Sequence, residues 1–291
     1  MRRHALGLTM IELLTVVAII AILVGILIPA TQAARRAAQN AKQKAQLTAI
    51  DVALTTFRED YGDYPPSDMS ISPGPLYYCG AQKLAEALVG RDMGGFDPNS
   101  RWSVDDGAYR SSANRKGFYL DPGTGHPFRV GNRSPQVPGL YPLVLPLAPD
   151  TFVLCDVYPR TRVEVLEGAA IRDVRMGSPI LYYRARSDPL RKMSSQIYTC
   201  EDNMDLIGAK ERFEQRKDAG PWRLDPPNTL AQVRQSFYEF IRDPRVPLGV
   251  AADAGSGLPY RPDSYILVSA GLDGIYGTTD DMCNFSRVGG P

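Results

Sequence analysis

Gly7-Leu8-Thr9-Met10-Ile11-Glu12-Leu13-Leu14-Thr15-Val16-Val17-Ala18-Ile19-Ile20-Ala21-Ile22-Leu23 is the stretch that decides how this chain is organised. Glu12 is the only ionisable side chain from Leu8 to Ala30, and the run from Leu13 to Ile28 is almost unbroken hydrocarbon. A bilayer-spanning helix needs about 20 mostly apolar residues, a length that residues 8–30 supply. Arg2 and Arg3, just ahead of it, predict a cytoplasmic amino terminus, with the chain beyond the apolar run on the far side of the membrane.

Three readings of this segment compete. A cleaved secretory signal would use Thr31-Gln32-Ala33 as its small-residue cleavage site. A plain signal anchor has no use for a carboxylate near the start of its apolar run. The third reading uses Glu12, because a charge held in lipid is costly and is normally kept for a partner. A cut after Gly7 would place Glu12 at position five of the new chain. Its natural partner is then the newly made α-amino group of a neighbouring copy.

The helical pattern does not stop at the membrane. Alanine, the best helix former, dominates beyond Pro29, and neither Gly nor Pro interrupts until Gly62. A helix over Leu8–Tyr61 would hold about 54 residues and reach about 80 Å at 1.5 Å per residue. Ala30, Ala34, Ala37, Ala41, Ala45, Ala49, Val52 (or Ala53) and Phe57 recur at three- and four-residue steps and predict an apolar stripe. Arg35, Arg36, Lys42 and Lys44 fall mostly on the other side. Asp60-Tyr61-Gly62-Asp63-Tyr64-Pro65-Pro66 predicts the stop, with glycine at the C-cap and prolines just beyond.

The stretch from Gly7 to Leu23 resembles the class III signal of type IV pilins and type II secretion pseudopilins. The resemblance implies that a prepilin peptidase cuts after Gly7 and methylates Leu8, where the family usually has Phe. It further implies that Glu12 is the assembly glutamate and Pro29 the helix-kinking proline. Asp60, Gly62, Tyr64 and Pro65 match the D-x-G-x-Y-P stretch of major pseudopilins, so the likeness runs from residue 7 to residue 66. The implied fold class is α+β, the pilin fold, in which a long N-terminal helix packs on an antiparallel-sheet globular head with extended loops. The implied layout is a leader at 1–7, a transmembrane and assembly helix at 8–30, and its amphipathic continuation at 31–62. A globular head with a large insertion then occupies 63–260, and a C-terminal strand and loop 261–291.

Composition narrows the function classes. The 291 residues are 44% hydrophobic and 22% charged, which excludes a disordered chain and a polytopic membrane protein. The formal charge of +1 supplies no global field toward nucleic acid, and no nucleic-acid partner is expected. The 26 Gly and 24 Pro predict many turns and long loops outside the helices. No G-x-S-x-G elbow, H-E-x-x-H helix or phosphate-binding glycine loop is present, so the chain reads as non-enzymatic.

In the middle, residues 82–89 predict a short helix closed by Gly90, and a second helix is expected from about Asn228 to Ile241. Phe152–Val157 and Pro179–Ala185 read as strands. Gly177 to Ala185 also resembles the strand that follows the helix in major pseudopilins. His126, in a Gly/Pro turn, reads as solvent-exposed, and Trp102 and Trp222 as core or domain-edge aromatics. Glu211, Arg212, Glu214, Arg216, Lys217 and Asp218 read as a solvated mixed-charge face. Cys79, Cys155, Cys200 and Cys283 form an even set beyond the membrane segment, which predicts one or two disulfides of unspecified connectivity in an oxidising compartment.

The carboxy-terminal run Tyr265–Ala270 reads as a strong strand leading into Gly271-Leu272-Asp273-Gly274-Ile275-Tyr276-Gly277-Thr278-Thr279-Asp280-Asp281. Calcium takes six to eight oxygen ligands in flexible loops, and Asp273 with the Asp280-Asp281 pair can supply the charged part. An acidic turn that binds nothing is the competing interpretation. Ser269, Gly271, Asp273, Gly274, Asp280 and Asp281 match the calcium loop of major pseudopilins position for position. That resemblance implies Ca2+ held by Asp273, Asp280, Asp281 and the backbone carbonyls of Ala270 and Ile275.

Together these resemblances imply a structural pseudopilin held in the inner membrane with a periplasmic head. It would polymerise with copies of itself and other pseudopilins into a periplasmic filament of a type II secretion system. Prepilin peptidase and an inner-membrane assembly platform are the implied partners. The alternative is a type IV pilus or competence-type pilin that builds a surface fibre.

Overall fold

The computed structural model describes residues 10–71, 77–98, 102, 115–131, 139–141, 147–148, 150–167, 170–186, 197–214, 220–224, 228–246 and 257–286. The chain divides into two compact units, residues 1–42 and residues 43–291. The expected leader, and the expected cleavage site at Gly7 and Leu8, lie outside the described residues.

Helix α1 (Met10–Tyr61) is continuous through Pro29 and ends where the sequence predicts, with Gly62 at φ +82° donating its N–H to Arg58 O at 2.7 Å. From Met10 to Ala38 every described residue of α1 is exposed, and this is one helix long and apolar enough to cross a membrane. The buried face further along α1 differs from the expected alanine stripe. Gln43, Gln46, Leu47, Ile50, Ala53, Leu54 and Phe57 are buried, whereas Ala45 is exposed and Val52 is 63% exposed. Leucine, isoleucine and phenylalanine remove far more apolar area from water than alanine does, so they set which face turns inward.

The second unit is α+β, built from short antiparallel pairings rather than one broad sheet. β1 (Ser70–Ile71) pairs with β2 (Tyr77–Tyr78), and β3 (Pro127–Arg129) with β4 (Phe152–Leu154). β5 (Thr161–Glu167) and β6 (Ala170–Met176) form a hairpin, and β7 (Leu181–Arg184), β8 (Tyr265–Ser269) and β9 (Met282–Cys283) form a three-stranded sheet in that order. Among the described residues the α-helices named after α1 are α2 (Gly80–Val89), α3 (Pro122–Gly125), α4 (Met204–Phe213) and α5 (Leu230–Ile241).

β7 and β8 feed two cores at once. Successive strand side chains point to opposite faces. Tyr182, Tyr265 and Leu267 therefore join Leu47, Ile50 and Leu54 of α1 and Leu84 and Leu88 of α2. Leu181, Tyr183, Ile266 and Val268 join Leu206 and Ile207 of α4 and Val233, Phe237 and Ile241 of α5 on the other side. Every residue of β8 is consequently buried. The segment between 63 and 260 thus supplies a second helical layer over the sheet.

α4 was not anticipated, and Glu211, expected on a solvated face, is buried on it, with Arg223 at 3.7 Å. Arg212 and Glu214 are described with α4, whereas Arg216, Lys217 and Asp218 lie outside the described residues. His126 is half-buried and left-handed at φ +46°, closing α3. The disulfides are not formed: Cys79, Cys155 and Cys200 are buried thiols and Cys283 a half-buried one. The first three sit in the core on the α4–α5 face of the sheet as small hydrophobes. Burial pushes the Cys79 thiol up to about 12 and holds those of Cys155 and Cys200 well above their ordinary value, which makes all three poor nucleophiles.

Candidate functional site: the acidic loop between the last two strands

β8 and β9 are hydrogen-bonded neighbours, with Val268 opposite Cys283 and Ser269 opposite Met282. The loop from Ala270 to Asp281 is therefore clamped at both ends. Gly271, Gly274 and Gly277 turn it at φ +51°, +71° and +88°, in the region that favours glycine. At Gly271 a side chain would collide with the Asp280 carbonyl, so the loop closes on itself only with glycine there.

The three aspartates occupy distinct environments: Asp273 is exposed, Asp280 half-buried and Asp281 buried. Each spends one oxygen on the loop backbone. Asp273 Oδ1 accepts from Ile275 N at 2.7 Å, Asp280 Oδ2 from Asp273 N at 2.9 Å, and Asp281 Oδ2 from Gly277 N at 2.6 Å. The remaining oxygens of Asp280 and Asp281 turn to the Thr278 hydroxyl, which lies 2.7 Å from Asp280 Oδ1 and 3.4 Å from Asp281 Oδ1. The same hydroxyl is 3.2 Å from the Ile275 carbonyl. Three of the sequence-predicted oxygen donors thus surround one atom. The Ala270 carbonyl accepts the Gly274 N–H at 2.9 Å and has a second lone pair to offer.

Among the described residues, no three His, Cys, Asp or Glu side chains are gathered closely enough to hold a metal ion as they stand. Burial, and then the closeness of Asp280, raise the Asp273 carboxyl above its ordinary range. For Asp280 burial pulls the same way, but the Thr278 hydroxyl and the Asp273 amide outweigh it and hold the carboxyl low. Like charges pressed together favour one proton or one cation between them.

Two cations brace the loop from outside. Arg160 donates to the Gly271 carbonyl and, at 3.3 Å, to Ser178 Oγ. Buried Lys210 donates to the Gly274 carbonyl at 2.6 Å and pairs with Glu214 at 3.1 Å. Underneath lies Asp156, fully buried, which accepts from Tyr158 N at 3.2 Å, Ser178 N at 3.0 Å and Ser269 Oγ at 3.0 Å. Burial pushes its carboxyl up to about 6, against the pull of Arg160 and these donors. Trp222 stacks on Tyr276 at 6.5 Å and covers Gly277.

Arg160, Lys210, Asp156 and Thr278 were not singled out from the sequence. Arg160 and Lys210 lie 111 and 64 residues from the carbonyls they hold, and no local pattern announces such contacts. Thr278 stood in plain view between the aspartates, as an oxygen donor in an acidic glycine loop. Glu12, the candidate assembly residue, lies in the first turn of α1 and is exposed. No protein-family model, no curated protein and no solved structure matches this chain.

Proposed function

We propose that this chain is a structural pseudopilin-like subunit. It would be anchored in the inner membrane by α1, cut after Gly7, and assembled with other copies into a periplasmic filament of a type II secretion system. The observation that carries this reading is α1 itself. Its 52 residues run without a break from an exposed apolar stretch of membrane-spanning length to turns that bury Leu47, Ile50 and Leu54 under a sheet. A helix exposed and apolar all round needs lipid or other helices as its solvent.

Glu12 follows from the same physics. In lipid its carboxylate is stabilised by a cation, and the α-amino group created after Gly7 is the one the processed chain itself would offer. Subunits that exchange this contact can leave the bilayer while keeping their apolar helices together.

The acidic loop fits a calcium ion by donor chemistry. Its inward groups are carboxylate, carbonyl and hydroxyl oxygens, the hard donors that calcium takes. Asp273, Asp280, Asp281 and the Ala270 and Ile275 carbonyls would hold the ion, whose charge would relieve the repulsion between Asp273 and Asp280. Arg160 and Lys210 hold other carbonyls of the loop, at Gly271 and Gly274, and leave this set available.

The test is the mass and assembly state of the protein recovered from membranes. A mature chain beginning with methylated Leu8, and filaments that export factors retain in the periplasm, support the proposal. An intact amino terminus, or a cut after Ala33, overturns it.

A further inference from the structure

The β5–β6 hairpin carries an unusual charge pattern. Its strands pair in full register from Thr161 opposite Met176 to Glu167 opposite Ala170, and among the described strands neither pairs with any other. Arg162 lies opposite Arg175, and Glu164 lies opposite Asp173. Residues two apart share a strand face, so all four stand on one side of the ribbon, and all four are exposed. Like charges placed directly opposite one another destabilise a strand pair. Exchanging the signs at Arg175 and Asp173 would have made two cross-strand ion pairs from the same composition. Instead the face presents a positive band and, about 7 Å further along the strands, a negative band. No side chain of the four takes part in an ion pair or hydrogen bond among the described residues.

A ribbon with one positive and one negative band is complementary to itself when turned end for end. We propose that this face of the hairpin is a contact for a second copy of the chain, with Arg162 and Arg175 of each copy over Glu164 and Asp173 of the other. The two-fold axis lies in the contact plane, midway between the bands. Such a contact is isologous and closes at two copies, unlike the head-to-tail contact that a filament repeats. It draws on the hairpin alone and holds whether or not α1 builds a filament.

The experiment uses the full-length chain in detergent, carried on two tags, with co-capture of one tag by the other as the readout. One variant is all negative (Arg162→Glu with Arg175→Glu) and the other all positive (Glu164→Arg with Asp173→Arg). Each variant alone should lose co-capture about tenfold relative to wild type, and the two mixed should recover it or exceed it; a tenfold change corresponds to about 1.4 kcal/mol. Recovery on mixing also shows that neither variant is misfolded. Raising salt from about 0.1 M to about 1 M shortens the screening length from about 10 Å to about 3 Å and should weaken the wild-type and mixed pairs alike. Association through α1 is common to every combination and forms the baseline. Equal capture in all combinations, or loss in each variant without recovery on mixing, overturns the proposal, including in favour of a partner that is not this chain.

Discussion

The backbone N–H of Asp273 donates to the carboxylate of Asp280 at 2.9 Å, across seven residues of chain. That bond helps fold the acidic loop back on itself, and it brings two carboxylates together. The loop is therefore held partly by its own backbone, with the two carboxylates close enough that Asp280 helps raise the Asp273 carboxyl above its ordinary range.

Calcium should relieve that repulsion. A ligand that binds only the folded state stabilises it by about 2.7 kcal/mol at a hundredfold excess over Kd. We expect calcium to raise the Tm of the full-length protein in detergent, and chelator to make residues 271–283 sensitive to protease. Asp280→Ala and Asp281→Ala should each abolish the calcium shift. Magnesium should substitute poorly, since it demands a tighter octahedral shell. A Tm indifferent to both calcium and chelator would show the loop to be an acidic turn.

Asp156 should give the protein a pH-dependent stability of definite sign. Its folded-state value, about 6, lies above the ordinary value of about 3.9 in an unfolded chain, so the folded state binds the proton more tightly. Its stabilising contribution is complete below about pH 4 and is lost as pH rises toward 6, with a ceiling of about 3 kcal/mol. Asp202, which burial pushes up to about 7, acts in the same direction. Asp156→Asn keeps a neutral side chain able to bond Ser178 N and Ser269 Oγ. The stability gap between this variant and wild type should grow in the variant's favour from pH 4 to 6 and then level off. Denaturant titration across that range checks it, and a constant gap would refute it.

Gln46 should matter more than its polar character suggests. Its buried amide donates to the Thr124 and Cys155 carbonyls at 2.9 Å each, tying α1 to the segments before β3 and after β4. Gln46→Ala leaves both carbonyls without that donor and should cost about 1–3 kcal/mol in chemical denaturation. Val52→Ser, on the exposed side of the same helix, should change stability by less than about 0.5 kcal/mol.

Glu12 separates insertion from assembly. A charged side chain at the centre of a membrane helix costs about 2.5–3.5 kcal/mol on insertion scales, so removing the Glu12 carboxylate does not impede insertion. Glu12→Leu should therefore still enter the membrane, and should fail to form filaments. Gly7→Val should block processing, read as retention of Met1–Gly7 by intact mass. Normal filaments from Glu12→Leu would remove the charge-pairing argument.

The sequence by itself determined what depends on neighbours along the chain. The apolar run, the alanine-rich continuation and the Gly62 stop are local, and α1 ends at Tyr61 as they require. The glycine and aspartate spacing of the loop is local as well, and it already placed Asp273 against Asp280. Tertiary structure decided everything that depends on distant partners. The inward face of α1 was settled by contact with β7, β8 and α2, where bulky side chains outweigh alanine. The fate of the cysteines was settled by burial in a core that the even count of thiols does not reveal. The sheet's second helical layer, and the Arg160 and Lys210 that brace the acidic loop, come from residues far away in sequence. Their positions follow from which surfaces are buried together, because hydrophobic burial rewards removed area without regard to separation along the chain.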